Sequence, residues 1–235
     1  MCLTSHKTGV KVQYMNKETS LRLSKYRRII QKLKLMGMEK VFSNNLGDAI
    51  GAAPALVRKD LSVLKITGHK RGGYNIDELI EEMDQILGKN KPMNVIICGC
   101  GKIGTALLGY RGIHEEGIKI MAGFDLNPDN VAYKGKIPIL HVRDMADYIK
   151  NHNIKVAVIS VPKFAASEIF STMLKAGIQG VLNFSPTELK DSSGKCLVNN
   201  VNIAIMIENL FFYANNSMEL AASNRMMDEH NLPTL

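Results

Sequence analysis

The sequence predicts an α/β protein in which an N-terminal winged helix-turn-helix domain is followed by a doubly wound, Rossmann-type parallel sheet and a C-terminal helix. Three observations predict this arrangement. A β-branched apolar run ends in a G-x-G-x-x-G motif at Gly99, strand and helix patterns alternate after it, and all excess positive charge precedes it. The predicted segments are a disordered extension at 1–19, the winged helix at 20–88, a linker at 89–92, the Rossmann domain at 93–200, a final helix at 201–220 and a tail at 221–235.

Charge is distributed unevenly along the 235 residues. Residues 1–92 contain 17 Lys and Arg against 9 Asp and Glu, a net of +8, whereas residues 93–235 contain 13 of each kind. A basic domain followed by a neutral one is typical of a protein whose first domain binds a polyanion. A basic surface that is only solvated is the alternative interpretation.

Helical spacing and turn residues predict the first domain. From Ser20 onwards, apolar residues recur every three or four positions: Leu23, Tyr26, Ile30, Leu33 and Met36. Ser43 is expected to cap a second helix that runs to Ile50, and Pro54 suits the first turn of a third helix. Two helices joined by a tight glycine-containing turn form a helix-turn-helix.

The third helix and the segment after it carry the residues predicted to bind DNA. Arg58, Lys59 and Ser62 fall away from the apolar stripe of that helix, so we expect them to enter a groove. The glycine-rich stretch 67–74 predicts a hairpin, or wing, whose tip contacts phosphates or the minor groove through His69, Lys70 and Arg71. Double-stranded DNA is therefore the expected partner, and a helix-turn-helix that never contacts DNA is the alternative.

Gly99, Gly101 and Gly104 lie between a predicted buried strand and a helix. In dinucleotide-binding domains the first glycine allows a tight turn, the second lets a pyrophosphate approach the backbone, and the third lets the helix pack on the strand. The next apolar run ends in Asp125, about 20 residues on, where a carboxylate that binds the adenosine ribose is expected. No arginine follows Asp125 directly, so we predict NAD+/NADH as the cofactor. The alternative is a Rossmann-like domain whose glycines serve only packing.

The composition argues against a membrane protein and against a metal or disulfide framework. No apolar run approaches the ~20 residues of a membrane span and the N-terminus lacks a signal-peptide core, so we expect a cytoplasmic protein. The cysteines at positions 2, 98, 100 and 196 have no C-x-x-C spacing, which indicates no zinc site. We interpret Cys98 and Cys100 as small residues filling the glycine turn rather than as redox-active thiols, because nearby phosphates would disfavour a thiolate.

Alternating strand and helix patterns after the motif predict a parallel sheet covered on both faces. The predicted strands are 118–124, 137–141, 155–161, 179–184 and 196–198, and the predicted helices are 103–114, 143–151, 163–176 and 202–217. Two later strands end at Val161-Pro162 and Asn183-Phe184-Ser185. A doubly wound sheet places the residues that face a nicotinamide at such ends.

The last predicted helix is apolar almost all round, from Ile203 to Ile207 and again from Leu210 to Tyr213. This is more apolar surface than one buried stripe accounts for. We expect the helix to bind a partner surface, and a homodimer would let two helix-turn-helix units address two half-sites. Packing on its own domain is the alternative.

This combination of domains resembles the Rex family of redox-sensing transcriptional repressors. The resemblance covers residues 20–217, and its most specific segments are Val57-Arg58-Lys59-Asp60-Leu61-Ser62, Gly73-Tyr74-Asn75, the glycine motif, Phe124-Asp125, Val161-Pro162 and Asn183-Phe184-Ser185-Pro186. It implies a homodimer with exchanged C-terminal helices that represses with NAD+ bound or at low NADH and is released by NADH. It also implies that Tyr110, Asn202 and Ile203 lie at the nicotinamide and subunit interface, to which Arg28 links the DNA domain. Asn202 stands where the family usually has aspartate.

The sequence therefore predicts an NADH/NAD+-sensing repressor that binds palindromic operator DNA as a homodimer and is not an enzyme. The residues expected at the cofactor are Gly99, Cys100, Gly101, Lys102, Ile103, Gly104, Tyr110, Asp125, Leu126, Val161, Pro162, Asn183, Phe184, Ser185, Asn202 and Ile203. An NAD-dependent oxidoreductase is one alternative, although no histidine stands where a general acid or base is expected. A Rossmann domain that binds another nucleotide, such as a coenzyme A derivative, is the other.

Overall fold

The computed structural model describes residues 17–66, 68 and 72–216. The chain divides into two compact units, Met1–Met93 and Asn94–Leu235. The elements described in the first unit are α1 (Lys17–Leu35), β1 (Lys40–Val41), α2 (Ser43–Ile50), α3 (Pro54–Val63), β2 (Tyr74–Asn75) and α4 (Ile76–Leu87). Helix α1 begins at Lys17, so the end of the predicted disordered extension is helical, while residues 1–16 lie outside the described residues.

One apolar core holds the helices of the first unit together. Its members are wholly or almost wholly buried: Leu23, Tyr26 and Ile30 from α1, Val57 and Leu61 from α3, and Ile76, Leu79 and Met83 from α4. Each fully buried Leu, Ile or Met side chain contributes about 1.5–3 kcal/mol to folding. Asn75 caps the N-terminus of helix α4, because its side chain accepts hydrogen bonds from the backbone N–H groups of Asp77 and Glu78.

A polar cluster joins α1 to α3 and consists of the buried Tyr26 and Asp60 and the partly exposed Arg22. The Arg22 guanidinium donates to both carboxylate oxygens of Asp60, at 2.7 and 2.8 Å, and the Tyr26 hydroxyl donates to the same carboxylate at 3.0 Å. Burial and the hydrogen bond to Asp60 raise the pKa of Tyr26 to about 12, so the hydroxyl remains a donor. Because Asp60 is only 4% exposed and needs these partners, the cluster fixes which face of α3 points inward.

The start of α2 differs from the prediction. Ser43 is the first helical residue rather than the cap, and Phe42 precedes it. The Asn45 side chain accepts a hydrogen bond from the Phe42 N–H at 3.0 Å, which satisfies one of the free backbone groups at this helix end. The Ser43 hydroxyl is then free to accept from the Arg58 guanidinium, also at 3.0 Å.

The described part of the predicted wing is residue 68 and residues 72–74. Strand β2 pairs antiparallel with β1, in the register Lys40 with Asn75 and Val41 with Tyr74. The predicted tip residues His69, Lys70 and Arg71 lie outside the described residues.

The second unit contains a six-stranded parallel sheet with helices between the strands. Its elements are β3 (Met93–Cys98), α5 (Lys102–Leu108), α6 (Arg111–Glu115), β4 (Ile118–Asp125), β5 (Ile139–His141), α7 (Met145–Asn151), β6 (Val156–Ile159), α8 (Lys163–Ala176), β7 (Gly180–Asn183), β8 (Leu197–Asn200) and α9 (Ile203–Asn215). The order β5-β4-β3-β6-β7-β8 is that of the Rossmann fold, which reverses direction between β3 and β6. The predicted fold class is confirmed.

Helices cover both faces of the sheet, so alternate residues of β3 belong to different cores. Ile96 and Cys98 pack with Phe170 and other residues of α7 and α8, whereas Val95 and Ile97 pack with Leu108 on the opposite face. A strand buried on both faces is an unbroken apolar run, as the sequence of β3 is.

The predicted helix 103–114 is wrong, because Gly109 and Tyr110 separate α5 from α6. Glycine is among the least favourable residues in a helix interior, and Tyr110 adopts an extended conformation.

Helix α9 is exposed along its whole described length. Leu210 is 66% exposed and Phe211 64% exposed, and neither belongs to an apolar core described in the chain. The alternative in which this helix packs on its own domain is therefore wrong. Exchange of the helix between two chains stays a prediction. Among the described residues, no helix is both long and apolar enough to cross a membrane.

Replacing Asp60 with Ala should destabilise the first unit. The change leaves the Arg22 guanidinium and the Tyr26 hydroxyl without their acceptor, and we expect a loss of about 2 kcal/mol because Arg22 keeps partial access to water. Urea unfolding followed by circular dichroism measures this loss. Asp48→Ala, at an exposed position on α2, is the matched control. Equal free energies of unfolding for the two variants would contradict a stabilising role for the cluster.

Candidate functional site

The glycine turn after β3 packs directly against the end of β6. Gly99 has a φ of +92°, and a Cβ at this position would lie 2.6 Å from the backbone of Ser160. The Ser160 N–H donates to the Cys98 carbonyl at 2.8 Å and its hydroxyl donates to the Gly99 carbonyl at 2.7 Å. A Cβ at Gly104 would collide with the Gly99 carbonyl oxygen. Both positions therefore require glycine for reasons internal to the fold.

Gly101 is different, because no contact within the described part of the chain requires glycine there. Its φ of −70° is accessible to any residue, and a Cβ built on it meets nothing within 4 Å. The open space beside its Cα belongs to a cleft that Gly101 lines. A bare backbone at the mouth of a cleft is what close approach of a phosphate requires.

The cleft lies at the carboxyl edge of the sheet, where the strand order reverses, and its volume is about 800 Å³. This is within the usual range for small-molecule and cofactor sites. The predicted cofactor residues that line it are Gly99, Gly101, Lys102, Ile103, Asp125, Leu126, Val161, Pro162 and Phe184. Cys100 lines a neighbouring cleft of about 550 Å³ that also includes Gly101, Lys102 and Asp125.

Asp125 ends β4 and faces the glycine turn. One carboxylate oxygen accepts from the Cys100 N–H at 2.8 Å and the other from the Asn127 N–H at 3.0 Å. These two bonds orient the carboxylate at the mouth of the cleft. Each oxygen has a further lone pair that can accept a hydrogen bond from a ligand hydroxyl.

Asn183 and Ser185, predicted at the cofactor, lie behind the cleft wall. Asn183 is 0% exposed and donates to the Thr187 carbonyl at 2.7 Å and to the Asn200 side chain at 2.8 Å, while it accepts from the Ser185 N–H at 3.0 Å. Ser185 is also buried. The two residues shape the loop that presents Phe184 and Pro186 to the cleft.

Tyr110, Asn202 and Ile203 do not line the cleft within one chain. Tyr110 precedes α6 and is 59% exposed, and Ile203 is 52% exposed. Asn202 caps α9, because its side chain accepts from the Ile205 N–H at 3.1 Å. Asparagine serves as well as aspartate in this capping role.

The cleft also contains residues that the sequence interpretation missed. They come from α8 and from the end of β5: Val142, Phe164, Ala165, Glu168 and Ile169. Pro162, the predicted cofactor residue nearest to these side chains, immediately precedes the first residue of α8. The spacing of Phe164 with Glu168 and of Ala165 with Ile169, four residues apart, places them on one side of the helix and was the available signal.

The two cysteines at the glycine turn are buried thiols. Cys98 is 1% exposed and Cys100 is 3% exposed, and burial raises the pKa of each to about 12. They belong to the cores on opposite faces of the sheet. Their burial and raised pKa support the prediction that both cysteines are packing residues and not reactive thiols. Within the described ranges, no group of three His, Cys, Asp or Glu side chains is placed to hold a metal ion.

The predicted DNA-contacting residues of α3 share its exposed side. Arg58, Lys59 and Ser62 are exposed, whereas Val57, Asp60 and Leu61 are buried beneath them. The hydrogen bond from Arg58 to Ser43 spans α2 and α3 and holds the guanidinium at the surface. The helix therefore presents two cations and a hydroxyl on a rigid support.

Native alkylation with iodoacetamide at about pH 8 should leave Cys98 and Cys100 unmodified, because a pKa near 12 keeps both thiols protonated and burial blocks access. Peptide mass spectrometry measures each site separately. The same protein in denaturant should be labelled at both, as the thiols regain their ordinary pKa. Rapid native labelling of either one would contradict a packing role.

Comparison with known proteins gives matches to both units. The family model described as "CoA binding domain" matches residues 90–187, and "Putative DNA-binding protein N-terminus" matches residues 16–62. The redox-sensing transcriptional repressor Rex of Clostridioides difficile is 37% identical over 191 residues, covering 81% of this chain and 89% of that protein. Rex of Desulforamulus reducens is 33% identical over 195 residues, covering 83% and 92%.

Solved structures of a Rex-family repressor, RSP, are similar over almost the whole chain. RSP in complex with β-NAD+ and operator DNA has a TM-score of 0.78 at 25% identity, covering 91% of this chain and 98% of RSP. RSP in complex with β-NADH has a TM-score of 0.75 at 26% identity, covering 90% and 99%. The identity, the coverage and the shared fold lead to one conclusion: this chain belongs to the Rex family of redox-sensing transcriptional repressors.

Proposed function

We propose that this chain represses transcription by binding palindromic operator DNA as a homodimer, and that NADH bound in the cleft releases it. Residues 20–88 would bind DNA, 93–200 would bind NAD+/NADH and 201–220 would form the dimer. The observation that carries the proposal is Gly101, which the fold does not require and which leaves the backbone bare at the cleft. RSP, the related repressor, has been solved with β-NADH and, separately, with β-NAD+ and operator DNA.

The cofactor would lie across the point where the strand order reverses. Gly101 would receive the pyrophosphate, and Asp125 would accept hydrogen bonds from the adenosine ribose. Val161, Pro162 and Phe184 would face the nicotinamide half. NAD+ and NADH differ in the charge and planarity of the nicotinamide ring, so the two forms can act differently only through contacts that sense this ring.

The DNA half of the proposal rests on α3. Arg58, Lys59 and Ser62 would enter the major groove, and the wing residues His69, Lys70 and Arg71 would contact phosphates. The exposed apolar surface of α9 would be covered by a second copy of the chain. In that dimer, Tyr110, Asn202 and Ile203 would meet the nicotinamide end of the cleft, which they do not reach within one chain.

A repressor acts where its operator is, so we place this protein in the cytoplasm. The proposed role needs no catalytic residue.

A second candidate ligand is a coenzyme A derivative, because the matching family model is described as a CoA binding domain. Coenzyme A contains an adenosine phosphate, so the same glycine turn would accept it. Competition between coenzyme A and NADH distinguishes the two ligands.

Gly101→Ala should weaken NADH binding at least ~tenfold, the equivalent of 1.4 kcal/mol, because the new methyl group occupies the space proposed for the pyrophosphate. Isothermal titration calorimetry measures the affinity, and the thermal midpoint should not change because the methyl meets no protein atom. The NADH concentration that releases half of a labelled operator duplex should rise by the same factor.

Gly109→Ala is the matched control, since this glycine also has a negative φ, does not line the cleft and has its nearest neighbour at 3.8 Å. Equal NADH affinities for the Gly101 and Gly109 variants would argue against the cleft as the cofactor site. Displacement of NADH by micromolar coenzyme A would favour the second candidate.

A further inference from the structure

Phe164 is the most exposed large apolar side chain lining the cleft. It stands in the first turn of α8 and is 88% exposed. Leu126, which follows β4 and lines the same cleft, is 66% exposed. Two large apolar side chains left in water beside a cavity are more consistent with a ligand surface than with folding, because neither contributes buried area to the core.

These two residues stand at the rim of an apolar end of the cleft. Val142 and Ile169 also line it, and both pack against the core cluster beneath α7 and α8. Strand register places this end beside Asp125. Asp125 pairs with His141, and Val142 is the next residue along the chain, so Leu126 and Val142 follow the ends of neighbouring strands.

The position of Asp125 identifies what this apolar end would hold. If Asp125 binds the adenosine ribose, the base attached directly to that ribose must lie beside it, whereas the nicotinamide is separated from it by the pyrophosphate at Gly101. A purine is flat and largely apolar on both faces. An apolar end of the cleft that includes Leu126 and an aromatic ring suits such a base.

We propose that Phe164 is the side chain on which the adenine base of the bound dinucleotide stacks. The inference rests on the proposed function, because it takes the ribose site at Asp125 as given. It adds a specificity-determining residue on α8, an element that the glycine motif does not include. The ring would lose its exposure to water when the base covers it.

The test compares Phe164→Ala with Phe164→Tyr, which keeps the ring. Calorimetry with NADH and with ADP-ribose, which has the adenine but no nicotinamide, should show a ~tenfold loss of affinity for both ligands in the alanine variant, as stacked bases show when the aromatic partner is removed. The tyrosine variant should bind both ligands nearly as well as the wild type. Leu197→Ala, at a position 70% exposed on β8 and outside the cleft, is the control.

The outcomes separate this inference from the function on which it rests. A wild-type protein that does not bind NADH would overturn the proposed function itself. Wild-type binding with unchanged affinities in Phe164→Ala would overturn only the role of Phe164. A loss for NADH but not for ADP-ribose would place the ring at the nicotinamide and overturn the inference. Weakened self-association in sedimentation with unchanged ADP-ribose affinity would assign the ring to a second copy and overturn it as well.

Discussion

The close approach of Gly99 to Ser160 is the constraint on which the rest of the cleft depends. The two hydrogen bonds from Ser160 join the ends of β3 and β6 at the point where the strand order reverses. Any Cβ at Gly99 would separate these ends, and any Cβ at Gly104 would push α5 off the turn. Because Gly99 and Gly104 are both held in place, the backbone between these two glycines projects outward at Gly101. The cleft is therefore a consequence of strand packing, and a ligand finds it already formed.

The glycine turn and the sheet were predictable from the sequence, because few conformations are compatible with an unbroken apolar run that is followed by glycines at this spacing. Asn183 was harder to interpret, since a polar residue at a strand end can serve a ligand or a loop. Its partners at Thr187 and Asn200 belong to the chain beyond that strand and could not be read from spacing. Phe164 was missed for a related reason. Its spacing with Glu168 places the two residues on one side of α8, but only the cleft shows that this side faces a ligand site.

In the first unit, helix α3 has a buried acidic residue, Asp60, on one side and two exposed basic residues, Arg58 and Lys59, on the other. Asp60 is paired with Arg22 on the buried side of α3. The whole excess charge of +8 lies in residues 1–92, and binding to phosphates by such a domain should weaken with added salt. In the second unit, the corresponding surface feature is apolar, because helix α9 is exposed along its described length. Exposure of so many apolar side chains to water is unfavourable, which supports the dimer that we propose.

Binding of a fluorescently labelled palindromic operator duplex, measured by anisotropy while NADH and NAD+ are titrated separately, tests the central claim most directly. The account predicts that NADH lowers the affinity for the duplex and that NAD+ at the same concentration does not, because only differential binding of the two forms can shift the protein between its states. Release by both forms to the same extent, or by neither, would contradict it.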